Sequence, residues 1–375
     1  MTRRALAARG ESGAGIRPAL HPASHRCSSL EYCPVFSVVP PCDPRASPPS
    51  MLRHHFTPDC WMILCRGPLR PGVRTDPARN PARMLSPETT VLITGAAGQL
   101  AGACAERLAG VCRVEALDHR ALDITSSSAV LQALERLRPA LVLNCAAYND
   151  VDGAESHAAA ALAVNALGVR AIVAAAAESA CRVVHYSTDF VFDGEATRPY
   201  TEADEPHPHS FYGLSKLLGE WLAAGYAHAS ILRVESLFGA VAPGAVEKGS
   251  VHGIVKRIEH GDEVPVFADR TVSPSYTADI ARATRALLER GVPPGLYHCV
   301  NSGAGTWAEI AEEAGRILGR PPRIKPITLQ SANLKAPRPR YCAMSNARLA
   351  SHGIVMPTWQ DALRRYLARA RSAAL

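Results

Sequence analysis

Tyr212 and Lys216 are the two side chains in this sequence whose types and spacing best suit proton transfer. In a helix, residues four apart share one face, so the ammonium of Lys216 would lie near the phenol of Tyr212. A free tyrosine has a pKa of about 10, and a neighbouring positive charge favours its ionised form. The pair therefore indicates a tyrosine that exchanges a proton near neutral pH. The alternative is an ordinary contact between the ring and the lysine stem on a helix surface.

Hydroxyl groups follow a predicted strand upstream of this pair. Ser187 and Thr188 come directly after the apolar run 181–186. In doubly wound sheets, ligands bind beyond the carboxyl ends of the strands, so these hydroxyls could donate to a substrate carbonyl. Alone, such residues more often form a turn or a helix cap. With Tyr212 and Lys216 they complete a set that protonates an alkoxide as hydride arrives, which is the chemistry of ketone reduction.

A glycine-rich loop lies between the first predicted strand, 90–94, and the first predicted helix, 99–109. Gly95 and Gly98 let the backbone turn tightly and approach a pyrophosphate, which the amide groups of the helix N-terminus would bind. A loop of this kind can also be a simple turn. Its place at the start of the strand–helix alternation favours the dinucleotide interpretation.

The residues after the second predicted strand bear on which dinucleotide binds. Asp118 lies about 20 residues beyond the loop, where an acidic residue can bind an adenosine ribose. His119 and Arg120 could instead face a 2′-phosphate. The sequence thus predicts NADH or NADPH without deciding between them, and Asp118 could also be an ordinary loop residue.

From Thr89 onward, short apolar strands alternate with alanine-rich helices, which predicts an α/β fold with a doubly wound parallel (Rossmann) sheet. The predicted strands are 90–94, 113–117, 140–145, 181–186 and 230–234, and the predicted helices are 99–109, 127–137, 158–178, 249–260, 276–290 and 306–318. We expect an NAD(P)-binding domain at 87–236. A smaller substrate-binding lobe is expected at 237–372, with segments that return to the sheet.

The first 86 residues differ in composition from the rest of the 375-residue chain. Residues 1–83 contain twelve arginines, five acidic residues and thirteen prolines, whereas the remainder has 29 basic and 29 acidic residues. We predict a disordered or non-native leader at 1–86. The balanced charge of the remainder argues against nucleic acid as a partner.

Cysteine usage and hydropathy suggest a compartment and exclude some classes of site. The cysteines after the leader are scattered and form no C-x-x-C pair, so we expect small buried side chains and no metal site. The longest apolar run of the leader, 61–65, is too short for a signal peptide or a membrane span. We therefore expect a cytoplasmic protein without a membrane partner.

Four longer motifs resemble the dTDP-4-dehydrorhamnose reductase family of the extended short-chain dehydrogenase/reductases. They are Asn144-Cys-Ala-Ala-Tyr-Asn-Asp-Val-Asp-Gly-Ala-Glu155, His185-Tyr-Ser-Thr-Asp-Phe-Val-Phe-Asp-Gly194, Gly295-Leu-Tyr-His298 and Arg338-Pro-Arg-Tyr-Cys-Ala-Met-Ser345. The resemblance covers nearly all of residues 89–365. It implies that NAD(P)H reduces the C4 keto group of a dTDP-6-deoxyhexulose to dTDP-L-rhamnose.

The resemblance also assigns roles to individual residues. Thr188 would donate a hydrogen bond to the carbonyl, Tyr212 would donate the proton, and Lys216 would tune Tyr212 and anchor the ribose. The family's cofactor contacts fall on Gly95, Gly98, Gln99, Leu100, Asp123 at the adenine edge, Ala146, Ala147 and Tyr148.

Three departures from the family pattern concern specificity and assembly. The family's Arg-Thr-Ser-Trp reads Arg233-Val-Glu-Ser236, which removes an aromatic wall near the sugar. The family's Asp-Gln-x-Gly-x-Pro-Thr reads Asp269-Arg-Thr-Val-Ser-Pro-Ser275, where the arginine could meet a diphosphate. An acidic residue that holds magnesium between some family dimers falls near Ala103, so we expect a monomer or a weak homodimer without a bridging metal.

Two functions remain open at this point. The first is a nucleotide-sugar ketone reductase. The second is a non-catalytic regulator, because the regulatory subunit of methionine adenosyltransferase resembles the same family and keeps a similar Ser/Thr-Tyr-Lys set. An epimerase or dehydratase of the superfamily fits the C-terminal half less well.

Overall fold

A six-stranded parallel sheet forms the centre of the computed structural model, which describes residues 85–239 and 249–373. The predicted leader, 1–86, lies outside the described residues except for its last two positions. The strand order is β10-β5-β4-β3-β1-β2. These strands are β1 (Thr90–Thr94), β2 (Arg113–Leu117), β3 (Leu141–Asn144), β4 (Arg182–Thr188), β5 (Ala229–Val234) and β10 (Leu296–His298).

The helices that connect and cover these strands include one close to each of the six predicted ranges, whereas those at 151–156, 347–351 and 359–373 were not predicted. The helices are α1 (Gln99–Leu108), α2 (Ser127–Leu137), α3 (Val151–Ser156), α4 (Ala158–Glu178), α5 (Phe211–Ala224), α6 (Ser250–His260), α7 (Thr277–Glu289), α8 (Trp307–Leu318), α9 (Ala347–Ser351) and α10 (Trp359–Ala373). Inside α4, residues Ala163–Leu167 form a π-helical turn.

Apolar side chains on both faces of the sheet explain the doubly wound architecture. Val91 and Ile93 of β1 pack with α1 and α7 on one face. Leu92 packs with α2 and α4 on the other face. Strands that are covered by helices on both faces consist of continuous apolar residues, and this made them predictable from the sequence. The predicted Rossmann-type sheet is confirmed.

One helix in the described part of the chain, α4, has the length and hydropathy of a membrane span. Half of its most apolar window is buried inside the protein. Its buried residues, including Ile172 and Ala176, belong to the core between the sheet and α2. The apolar character of α4 is therefore accounted for by packing within the domain.

The C-terminal segments form a second core built from small strand pairs and helices. Parallel β7 (Glu263–Phe267) and β12 (Arg323–Ile327) form one pair. The other pairs join β6 (Leu237–Phe238) to β9 (Ser275–Tyr276) and β8 (Thr271–Val272) to β11 (Gly305–Thr306). Helices α6, α8 and α10 pack with them. Two elements of this part of the chain lie at the first core, because α7 packs on α1 and β10 joins the edge of the sheet. The domain boundary at 236/237 stays a prediction.

Two differences from the sequence prediction have physical reasons. Strand β4 extends through Ser187 and Thr188, because Thr188 pairs with Val234 of the neighbouring β5. The small C-terminal strands were not predicted. Strands β7 and β12 contain Pro265 and Pro326, residues that argue against a central strand but are tolerated in an edge pair.

A buried ion pair ties β5 to α5. The guanidinium of Arg233 donates from Nε to Glu220 Oε1 at 2.9 Å and from Nη2 to Oε2 at 2.7 Å. The side chains are 2% and 5% exposed. Removing one partner of such a pair leaves an uncompensated buried charge.

We predict that Glu220→Gln lowers the free energy of unfolding by about 3 kcal/mol, because Arg233 then lacks a counter-charge. The measurement is a urea unfolding curve. Glu289→Gln is the matched control, since Glu289 pairs with Arg285 at the surface, and it should cost less than about 1 kcal/mol. Equal costs for the two variants would contradict the prediction.

Candidate functional site

Thr188 and Tyr212 meet at the carboxyl edge of the sheet. Thr188 is the last residue of β4, and Tyr212 is the second residue of α5. The hydroxyl of Thr188 acts on the phenol of Tyr212 and favours its ionised form, against the effect of burial. The two residues are only 6% and 8% exposed. The sequence predicted this meeting of side chains that lie 24 positions apart in the sequence.

The start of α5 is held in place by two side chains. Ser210 caps the helix by accepting a hydrogen bond from the Gly213 amide at 3.1 Å. Glu155 accepts one from the Phe211 amide at 2.8 Å. Both groups satisfy amide donors that a helix start leaves unpaired. They thereby orient the turn that carries Tyr212.

The pKa of Tyr212 lies above its ordinary value. Burial is the main cause, and the nearby Asp189 carboxylate adds to it, since both disfavour the phenolate. The direction is opposite to the lowering expected from Lys216. In this structure, Tyr212 therefore holds its proton firmly at neutral pH.

Lys216 lies one helical turn beyond Tyr212 and is buried. Its ammonium donates a hydrogen bond to the Tyr186 carbonyl of β4 at 2.6 Å. Burial lowers the pKa of Lys216 to about 8, and Glu220 limits the shift. The side chain is thus mostly charged at neutral pH and loses its charge in the alkaline range.

Ser187, the other hydroxyl considered from the sequence, is buried in β4. Its Oγ has no hydrogen-bond partner among the described residues. Thr188 also donates to Asp189 Oδ1 at 2.9 Å, and its Oγ1 accepts from the Phe190 amide at 3.3 Å. The ring of Phe190 packs edge-on against Tyr212, with centroids 5.5 Å apart. These contacts fix Thr188 and Tyr212 relative to one another.

The glycine loop has the geometry expected for a phosphate-binding turn. Gly95 adopts a φ of +69°, and a Cβ there would lie 2.7 Å from the Ala146 Cα. Gly98 begins α1 without a side-chain cap, and the first turn, which contains Gln99 and Leu100, has no acidic residue. A helix start of this kind favours an anion at its amide groups. The residues present therefore fit a dinucleotide pyrophosphate.

A buried polar network supports the loop after β3, and the sequence analysis missed it. Thr94 donates to Asn144 Oδ1 at 2.7 Å, and Asn144 Nδ2 lies 3.1 Å from His185 Nδ1. The Ala146 amide donates to Thr94 Oγ1 at 3.3 Å. Burial, followed by the charge of Lys216, lowers the pKa of His185, so the imidazole is neutral. The network connects the ends of three adjacent strands and positions the proposed cofactor contacts Ala146 and Ala147.

Asp118 and Asp123 both shape turns after β2. Asp118 Oδ1 accepts from the amides of Arg120 and Ala121 at 3.0 and 2.9 Å, and these bonds lower its pKa. Asp123 Oδ1 accepts from the amide and hydroxyl of Thr125. Asp118 thus stabilises its own turn, which agrees with the alternative that it is an ordinary loop residue. Arg120 is exposed in the same loop.

Asn165 is a second residue that the sequence analysis missed. It lies in the π turn of α4, where its Oδ1 accepts from the Tyr148 amide at 2.8 Å and its Nδ2 donates to Ser215 Oγ at 2.9 Å. Ser215 in turn donates to the Tyr212 carbonyl at 2.7 Å. A Cβ on Gly219 would collide with the Asn165 carbonyl. Asn165 thus joins the proposed cofactor loop to α5. In the sequence, a single asparagine within an apolar helix was the feature that could have identified it.

The two sequence departures change the region beside Thr188. Ser236, which replaces the aromatic residue, has a φ of +42°. Arg270 is buried, with Nη2 3.5 Å from Asp189 Oδ2 and 3.4 Å from Cys342 Sγ. Its guanidinium is therefore engaged by protein groups, which disfavours the diphosphate contact considered from the sequence.

Comparison with known proteins agrees with the site geometry. The model of the RmlD substrate binding domain family matches residues 89–372. A dTDP-4-dehydrorhamnose reductase of Streptomyces griseus is 36% identical over 290 residues, covering 74% of this chain and 92% of that protein. A probable dTDP-4,6-dihydroxy-2-methyloxan-3-one 4-ketoreductase of Streptomyces antibioticus is 36% identical over 278 residues, covering 73% and 92%.

Solved structures give the same result. A dTDP-4-dehydrorhamnose reductase of Clostridium acetobutylicum superposes with a TM-score of 0.71 at 32% identity, covering 76% of this chain and all of that one. A Bacillus anthracis enzyme of the same name, in complex with NADP, has a TM-score of 0.71 at 30% identity and covers 75% and 99%. The resemblance inferred from the motifs is thus confirmed, and the chain belongs to the RmlD substrate binding domain family, which includes the dTDP-4-dehydrorhamnose reductases.

Proposed function

We propose that this protein is an NADPH-dependent reductase of the C4 keto group of a dTDP-6-deoxyhexulose, the reaction that forms dTDP-L-rhamnose. The observation that carries the proposal is the meeting of Thr188 and Tyr212 at the carboxyl edge of the sheet, with Lys216 one turn further on. The names of the relatives support the substrate class, since they are 4-keto reductases of dTDP sugars.

The side chains of the site suit the delivery of one proton to the substrate oxygen. NADPH, when bound, supplies the hydride. Tyr212 is protonated at neutral pH and can donate that proton to the carbonyl oxygen as hydride arrives. Its raised pKa makes it a weaker acid than a free tyrosine. Thr188 orients that oxygen. The ammonium of Lys216 compensates the negative charge that Tyr212 acquires when its proton leaves.

The proposed cofactor site runs from the glycine loop to the loop after β3. Gly95, Gly98 and the first turn of α1 would hold the pyrophosphate through amide groups. The exposed Arg120 would meet the 2′-phosphate, which favours NADPH, and a solved relative is described in complex with NADP. Residues assigned to the remaining contacts are Asp118, Asp123, Ala146, Ala147 and Tyr148.

We further propose a cytoplasmic protein that is a monomer or a weak homodimer, with domains at 87–236 and 237–372. All six cysteines of the described residues are free, and five of them are buried. Free thiols without structural disulfides are typical of a reducing compartment.

The function is tested by supplying an enzymatically prepared dTDP-4-keto-6-deoxyhexose with NADPH or NADH and following the loss of absorbance of the reduced cofactor. We expect turnover with a lower KM for NADPH. Cofactor binding without turnover of any dTDP-keto sugar would refute the proposal and favour the regulator.

We predict that Tyr212→Phe lowers kcat at least about 100-fold, because general acid catalysis contributes roughly that much or more. The Kd for NADPH should stay within about twofold, since the ring and its packing remain. Single-turnover kinetics and fluorescence titration measure the two quantities. Tyr226→Phe is the control, because it removes a phenol that bonds to Ala176 and Cys181 away from the site. Unchanged turnover in Tyr212→Phe would remove Tyr212 from the role.

We predict that NADPH binding weakens as the pH rises through about 8, because Lys216 then loses its proton. The ammonium is present below that pH and absent above it, so the Kd for NADPH should be constant below pH 7 and rise above pH 8.

Lys216→Met and Lys216→Ala should bind NADPH weakly and turn over substrate slowly, and their Kd should not show this pH dependence. Lys256→Ala alters an exposed ion pair and should behave as wild type. A flat profile to pH 10 in the wild type would contradict the role of Lys216.

A further inference from the structure

Four buried side chains form a cluster behind Thr188 that the proposed reaction does not use. Asp189, Glu235 and Cys342 place one ligand atom each within 4.8 Å of one another. Arg270 contacts Asp189 and Cys342. We call these four residues the carboxyl–arginine cluster.

Two members of the cluster depart from the family pattern together. Glu235 stands where the family motif has serine, and Arg270 stands where it has glutamine. The chain thus carries one added acidic and one added basic residue, and each acts electrostatically on the other.

Each of the two residues has one polar atom without a partner among the described residues. Glu235 Oε2 accepts from the Ser273 amide at 2.7 Å, but Oε1 is unpaired. Arg270 Nη2 is engaged, but Nε is unpaired. Glu235 is 1% exposed and Arg270 is 9% exposed. A buried unpaired donor and a buried unpaired acceptor both cost free energy unless a ligand pairs with them.

The chemistry of the cluster selects among ligands. A metal ion would compete with the guanidinium of Arg270, which already contacts Asp189 and Cys342. A diphosphate would be repelled by the Asp189 carboxylate. Burial, followed by Asp189, raises the pKa of Glu235, so its carboxyl favours the neutral form. A neutral group that donates and accepts hydrogen bonds, such as a hydroxyl, fits the unpaired atoms.

The pair lies beside the proposed reaction centre. Val234, which precedes Glu235, pairs in register with Thr188. The guanidinium of Arg270 lies over the ring of Phe190 at 5.3 Å, and that ring packs on Tyr212. A sugar whose keto oxygen reaches Thr188 and Tyr212 would therefore bring its neighbouring ring positions toward Glu235 and Arg270.

We propose that Glu235 and Arg270 bind the sugar hydroxyl next to the carbonyl that is reduced, and so determine which keto sugar this chain accepts. The inference rests on the proposed function. A site built to pair a hydroxyl rejects the analogue that lacks it, because its buried polar groups are then left unpaired.

The experiment compares kcat/KM for a dTDP-4-keto-6-deoxyhexose and for its 3-deoxy counterpart. We expect the wild type to prefer the hydroxylated sugar by at least about tenfold. The preference should fall toward unity in Glu235→Ala and in the double variant Glu235→Ser/Arg270→Gln, which restores the family residues. Both variants should keep the wild-type Kd for NADPH. Cys342→Ser alters the same cluster but leaves both proposed contacts, so it is the control that should retain the preference.

The outcomes separate this inference from the proposed function. Turnover of neither sugar by the wild type would refute the function itself. Turnover of both sugars with equal kcat/KM would leave the function intact and overturn the inference. The same conclusion would follow if the double variant lost activity equally on both sugars, because a structural role lowers both rates without changing their ratio.

Discussion

The parallel pairing of the central strands is the constraint on which the rest of the structure depends. Parallel strands end at the same edge of the sheet, so their last residues become neighbours whatever their separation in the sequence. Thr94, Asn144 and His185 pair in register and form a hydrogen-bonded row across three strands. Strand β4 continues three residues beyond His185, where Thr188 pairs with Val234 of β5 at the site. The glycine loop, the proposed proton donor and the carboxyl–arginine cluster all depend on this edge.

Burial at this edge sets the charge state of the site. Burial raises the pKa of Tyr212 and lowers that of Lys216 to about 8. The phenol is therefore protonated at neutral pH, and Lys216 loses its proton more readily than a free lysine. The raised pKa makes Tyr212 a weaker acid than a free tyrosine. Its proposed role therefore depends on the basic alkoxide that forms as hydride arrives and on the positive charge of Lys216.

The proposed specificity has a different origin from the proposed chemistry. Thr188, Tyr212 and Lys216 are the residues on which the resemblance to the family places the chemistry. Glu235 and Arg270 are instead proposed to contact the sugar beside Thr188 and Tyr212. A shared reaction with an altered sugar contact is a simple way for members of one fold to act on different nucleotide sugars.

The sequence by itself determined five of the six central strands and most of the helices between them, and it predicted the residues of the proposed reaction site. Apolar runs covered on both faces and helices of regular period depend on local composition, so β1 and β2 matched their predicted bounds. Tertiary structure alone decided the extension of β4 to Thr188, the π turn that places Asn165 and the raised pKa of Tyr212. It also brought Glu235 and Arg270 together. Each of these depends on contacts between residues distant in the sequence, whose burial and pairing no local pattern specifies.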